Sequence, residues 1–368
     1  MPLVFIHGVA TRSSPGYARE IAQRDAMFRA AILDGLDPGG SIFKPAWGDL
    51  VPGIPRLENP IIPLPGAGIQ PLSDTGREES EVRREVLDGA GVLALARRSL
   101  VDAVDALFAA RIQSAPQAAL RHVAADALCA ARYARENPFP DWIHNIRTGD
   151  DFVTQLMAVS GASAAAESTG TAQPALEAAG FLDWPADVLL KTLRPSFTSA
   201  MTLFFGDVFS YLANRGDSRN PGPIPTLIME ALDNARAEAD TSGRPLIIVG
   251  HSMGGNIAYD VLSHYRTELS VESLVTVGSQ ASLLRQLDVF HVRDPRGQPK
   301  RALKPPGVAR WINIVDHHDA LAFLFEPEFE GVVDREYRTD AGITGAHTSY
   351  FARASFFERL AAYLNVAK

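Results

Sequence analysis

Apolar residues fall along this chain in two patterns. Leu3–Ile6, Leu246–Val249, Leu274–Val277 and Trp311–Val315 are short apolar runs without regular polar alternation. Runs of that length predict strands covered on both faces, as in a parallel sheet flanked by helices. Ser41–Trp47 and Val332–Arg338 read as two further strands. Elsewhere apolar positions recur at helical spacing. Ile21, Ala22, Met27, Phe28, Ala31 and Ile32 share one face of a helix over Tyr17–Leu36, which Gly35 and the Asp37-Pro38-Gly39-Gly40 turn bring to a stop. Leu227–Ala239 has the same spacing and stands just before the strand at Leu246.

The middle of the chain has a different texture. Prolines at 52, 55, 60, 63, 65 and 71 make residues 51–72 an extended loop. From about Arg77 the composition turns to Ala, Leu, Arg and Glu. Leu93, Leu100, Val104, Phe108 and Ile112 then predict one long amphipathic helix, and Pro116–Arg135 a second. Ala158–Gly180 is mostly Ala, Ser, Gly and Thr and reads as a connector or weak helix.

At the end of the Leu246–Val249 run stands Gly250-His251-Ser252-Met253-Gly254, followed by Ile257, Ala258, Val261 and Leu262 at helical spacing. A strand that reverses into a helix within about five residues crowds any Cβ beside the apex, so glycine is required on both sides of it. Ser252 sits on that apex with its hydroxyl held away from the backbone. The amide of Met253 points from the new helix toward the position of a reacting carbonyl.

Together with a first strand that ends in His7-Gly8-Val9, this elbow resembles the α/β-hydrolase family, in particular its lipase and esterase branch. The resemblance covers about two-thirds of the chain and implies a mainly parallel sheet flanked by helices with an inserted helical cap. On that basis residues 1–76 and 201–368 form the hydrolase core and 77–200 the cap, although a plain helical layer without a gating role fits the same pattern. In this family the residue after His-Gly, here Val9, lends a second amide to the oxyanion hole. The run Gly206–Leu212 weakly resembles a segment of some intracellular lipases.

A serine hydroxyl needs a base, and the base a carboxylate to fix its tautomer. The family order is serine, acid, histidine. His347, after the last expected strand and immediately before an expected aromatic helix containing Tyr350, Phe351, Phe356 and Phe357, is the expected base. In Asp316-His317-His318-Asp319, Asp319 is the expected acid and Asp316 the alternative; whichever is not used would cap its loop. The same four residues invite a metal reading, which no second ligand cluster supports. His7 and His251 read as packing residues.

Composition narrows the class. The chain has 368 residues with 46% hydrophobic and 21% charged, room for one large domain with an insertion. Its formal charge of −8 supplies no field to recruit nucleic acid, and the single cysteine, Cys129, excludes an internal disulfide framework. Leu3–Ile6 is too short and wrongly flanked for a signal peptide, and no window suits a membrane span, so the expected setting is the cytoplasm. The basic residues of Arg293–Arg310 read as a solvated loop or a contact for an anionic headgroup.

The resulting expectation is a cofactor-free serine hydrolase acting on carboxylic esters, with a lipidic or apolar acyl group favoured and transient contact with a membrane surface. A thioesterase, an amidase or peptidase, and an effector module whose cap recruits a protein partner are the alternatives.

Overall fold

The computed structural model describes residues 1–51, 90–162, 205–292 and 300–364, apart from positions 10, 35, 36 and 38. Most of the proline-rich loop, the two flanks of the expected cap and the first part of the basic loop, 293–299, lie outside these residues. In chain order the first elements are β1 (Leu3–Ile6), α1 (Pro15–Phe28) and β2 (Ile42–Phe43). Four helices follow: α2 (Ala90–Arg98), α3 (Leu100–Ser114), α4 (Leu120–Glu136) and α5 (Gly149–Ser160). Next come α6 (205–214), α7 (Pro223–Ser242), β3 (Ile247–His251), α8 (Met253–Asp260) and β4 (Val271–Val277). The chain closes with α9 (Ala281–Gln286), β5 (Ala302–Leu303), β6 (Val308–Val315), β7 (Phe329–Glu330), β8 (Val332–Glu336), α10 (Gly342–Ser349) and α11 (Ala354–Tyr363).

Six strands form one sheet in the order β2-β1-β3-β4-β6-β8, and every pairing in it is parallel. This is the α/β class the apolar runs predicted. β5 and β7 pair separately. The first strand lies inside the sheet: from β1 the chain winds outward to β2 on one side, then returns to β3 and proceeds to β8 on the other. The winding direction therefore reverses between β1 and β3. In open α/β sheets the crevice at the carboxyl ends of the strands flanking such a reversal is where ligands bind.

Alternate residues face opposite ways, and both faces are covered. Leu3, Phe5, Val249, Val275 and Ile312 join one cluster with α1, α11 and the helices α2 to α5. Val4, Ile6, Ile248, Leu274 and Trp311 join the other with α7 and α8. The described part of the expected cap packs on one face of the sheet domain. Leu93, Leu100, Val104, Phe108, Leu128 and Phe152 bury their side chains in the same cluster as the sheet, and α4 packs on α1 and α11.

Several boundaries differ from the sequence expectation for local reasons. The single long helix through 93–112 is two, because Ser99 takes an extended conformation and its hydroxyl accepts the Asp102 N–H at 3.3 Å to cap α3. The strand expected over 41–47 is only Ile42–Phe43. Pro45 has no N–H to pair, and Trp47 turns inward to donate its indole N–H to the His7 carbonyl at 2.8 Å. β8 ends at Glu336, after which Thr339 leaves the strand line to bind Asp316. The helices over 149–160, 205–214, 281–286 and 342–349 were not anticipated; Thr148 caps the first of them, and the aromatic helix expected from Tyr350 begins only at Ala354, after a 3-10 turn over Tyr350–Ala352. No helix among the described residues is long and apolar enough to cross a membrane.

Candidate active site

The carboxyl ends of β1, β3 and β6 bring together residues far apart in sequence. Ser252, between β3 and α8, has φ 53° and ψ −125°, a backbone conformation L-residues rarely adopt. Such strain costs about 1–3 kcal/mol and persists only where the surroundings enforce it. The enforcement is visible at Gly254, where a Cβ would stand 2.0 Å from the Ile6 carbonyl oxygen of the neighbouring strand. Gly8 closes the apex from the β1 side: a Cβ there would meet that of Ser252 at 3.0 Å. The loop that carries Val9 therefore lies against the elbow, at the reversal point of the sheet.

His347 arrives from the last turn of α10. Its Nε2 is 2.9 Å from Ser252 Oγ, and its Nδ1 is 3.0 and 2.9 Å from Asp319 Oδ1 and Oδ2. A carboxylate only accepts, so the ring proton resides on Nδ1 and the Nε2 lone pair faces the hydroxyl. Asp319 sits in the loop after β6 with its side chain fully buried, while that of His347 is 17% exposed. Two further donors hold the carboxylate: the Leu321 N–H at 2.9 Å on Oδ1 and the Tyr350 hydroxyl at 3.0 Å on Oδ2.

Of the two aspartates expected to compete for His347, only Asp319 reaches it. Asp316 is occupied elsewhere. It accepts the Thr339 N–H at 2.7 Å and hydroxyl at 2.6 Å, and the His318 N–H at 2.8 Å. Burial pushes its carboxyl up, but the Thr339 and His318 hydrogen bonds outweigh that and hold it below the usual carboxylate value. His317 and His318 are exposed, the first 3.7 Å from Glu336 and the second 3.3 Å from Asp316. Among the described residues no group of three or more His, Cys, Asp and Glu side chains is placed to hold a metal ion.

The other two histidines of the site are kept neutral. His7 stacks on Trp47 at 5.1 Å between ring centroids, and burial lowers it to about 4. Burial, aided by the nearby His347, lowers His251 to about 3. His251 nevertheless bonds directly to His347: its Nε2 is 2.9 Å from the His347 carbonyl oxygen.

Sequence reasoning missed the supports around this set. Asn256 on α8 and Gln280 after β4 form a reciprocal pair, Asn256 Nδ2 to Gln280 Oε1 at 2.8 Å and Gln280 N to Asn256 Oδ1 at 2.9 Å. Gln280 Nε2 continues to the carbonyls of Gly278 and Leu321, tying the elbow helix to the loop of Asp319. A bidentate pair, Arg12 with Asp207 at 2.7 and 3.1 Å, ties the segment after Val9 to α6. A buried Asn or Gln carries no periodic signal, so nothing in the pattern of the chain marks either support.

No model of a known protein family matches this sequence, and no curated protein matches it either.

Proposed function

We propose that this chain is a serine hydrolase of the α/β-hydrolase type, cleaving carboxylic esters through an acyl-enzyme on Ser252. The observation that carries the reading is the unbroken hydrogen-bonded line from Ser252 Oγ through His347 to Asp319, at a serine held in strained backbone geometry. Each step has a group for it. As Ser252 Oγ bonds to the ester carbonyl carbon, its proton passes to His347 Nε2, and Asp319 stabilises the imidazolium. The carbonyl oxygen becomes an oxyanion held by the amides of Val9 and Met253. When the tetrahedral intermediate collapses, the C–O bond to the leaving alcohol breaks and His347 returns the proton to that oxygen. A water molecule repeats the sequence in reverse to free the acid.

The preference for an apolar acyl group draws no support from α2 to α5, whose large side chains are consumed in the core. It draws support from α6. Phe205 and Phe209 flank Asp207 there and are 48% and 65% exposed, on the helix that Arg12 ties to the Val9 loop.

A fluorophosphonate probe tests the reading, since its phosphorus accepts the serine oxygen and loses fluoride only where a base activates the hydroxyl. One label on Ser252, absent in Ser252→Ala and His347→Ala, is the expected result. Labelling of another serine, or none in the wild type, would overturn it. A panel of acyl esters, thioesters and amides of graded chain length then ranks the substrate classes.

A further inference from the structure

Tyr350 stands three residues after His347, in the short 3-10 turn Tyr350–Ala352 that follows α10, and is fully buried. Its hydroxyl is used in both directions. It donates to Asp319 Oδ2 at 3.0 Å and accepts the Asp316 N–H at 3.0 Å. The same turn of chain therefore presents two groups to one carboxylate, the His347 ring and the Tyr350 hydroxyl, and both lie on Asp319 Oδ2. Aromatic contacts with Tyr337 and Phe356 fix the ring from the core side. Its hydroxyl also bridges the expected acid and the aspartate that lost the competition.

We propose that Tyr350 is a positioning residue that sets the basicity of Asp319, and through it the proton affinity of His347. A donor on Oδ2 draws negative charge away from the imidazole. Without it the carboxylate presents more charge to His347 and holds the imidazolium more tightly. The inference rests on the hydrolase reading only for its catalytic consequence; the electrostatic link between Tyr350 and His347 holds independently of the reaction.

Among the described residues, the other groups facing His347 are few. From β3 comes His251, its ring 5.1 Å away and kept neutral by burial; from the elbow comes Ser252. Asp316 lies behind Tyr350, while Arg24 and His7 act on His251. None of these changes when Tyr350 is altered, except that the Asp316 N–H loses its acceptor.

The test is the titration of the His347 ring by NMR on histidine-labelled full-length protein, its signals assigned by their loss in His347→Gln. In Tyr350→Phe the His347 titration midpoint should rise by about one pH unit. If the ester activity is present, the acidic limb of its profile should move the same way, with kcat/KM about 10-fold lower. A purely structural role predicts the opposite sign, because a loosened His347–Asp319 contact lowers the midpoint. An unchanged or lowered midpoint would overturn the proposal. Should Tyr350→Phe not fold, a ring-fluorinated tyrosine at position 350, a stronger donor of the same shape, should lower the midpoint; no change or a rise would overturn it. The NMR readout needs no turnover. A wild type that fails to react with the fluorophosphonate therefore removes the hydrolase reading and leaves this inference to be decided on its own.

Discussion

Two regions of the molecule are built from nearly the same parts and differ in what they can do. At the carboxyl edge of the sheet, a buried aspartate, a tyrosine hydroxyl, a histidine and a serine form a line. Where the helical layer meets α11, Asp105 accepts the Ser355 N–H at 2.9 Å and hydroxyl at 2.5 Å. The Tyr337 hydroxyl lies 2.6 Å from that of Ser355, and Arg353 reaches both Asp102 and Asp105 at 3.4 Å. Here the serine touches the carboxylate directly, at the first turn of a helix, so the cluster closes on itself and caps α11 from another element. At the sheet edge an imidazole intervenes, and the serine ends the line on strained backbone. Burial and hydrogen bonding alone make an anchor. A base between acid and hydroxyl, with the hydroxyl carried on strained backbone, is what the hydrolase reading requires.

The sharpest way to break this comparison is at the sheet edge. Ser252→Ala should lower kcat by about 10⁶-fold while leaving the thermal midpoint unchanged or higher; ester turnover followed beside calorimetry measures both. Asp319→Asn keeps the shape but favours the wrong imidazole tautomer, so kcat should fall by about 10⁴-fold. Retained activity in that variant would move the acid role elsewhere. The anchor should respond in the opposite way. Asp105→Ala leaves two buried donors of Ser355 unpaired and should cost about 3 kcal/mol of unfolding free energy. The rate at which Ser252 reacts with the fluorophosphonate per folded molecule should not change. Burial raises the Asp105 carboxyl above its ordinary value despite Arg353 and Ser355. The native state therefore holds the proton more tightly than the unfolded chain, and the Asp105 contribution falls as pH climbs from the ordinary carboxylate value through the raised one.

The comparison also explains what could be read in advance. The strands were legible because a parallel sheet covered on both faces needs unbroken apolar runs, as at Ile247–Val249. The elbow was legible because the close approach of Gly254 to Ile6 admits no side chain. Both are constraints on residue type at fixed spacing. The break at Ser99 and the short β2 were not, since each depends on one local competition between backbone and side chain. For the partner of His347, Asp319 was preferred to Asp316 on the family resemblance alone, and it is the one that reaches the ring. Asp316 and Asp319 are three apart in one loop, and what separates them is Thr339, which comes from beyond β8 to occupy the first. The Asp105 cluster was invisible because its members lie 250 positions apart and follow no period.

Thr339 supplies the smallest of the expected effects and the one that tests why Asp316 does not pair with His347. Thr339→Val removes the hydroxyl at 2.6 Å but keeps the N–H at 2.7 Å, and should cost about 1–2 kcal/mol near neutral pH. The sign of its pH dependence follows from the lowered carboxyl. Between the native and the ordinary values the unfolded chain binds more protons, so the stabilisation is fully present above the ordinary value. It is lost as pH falls through the depressed one. Urea midpoints of wild type and variant should therefore differ at neutral pH and converge on acidification. A constant difference would mean that Asp316 is held by Thr339 as a neutral acid. In that case the alternative carboxylate would be excluded from His347 by protonation rather than by occupation, and Thr339→Val would leave it no freer to compete with Asp319.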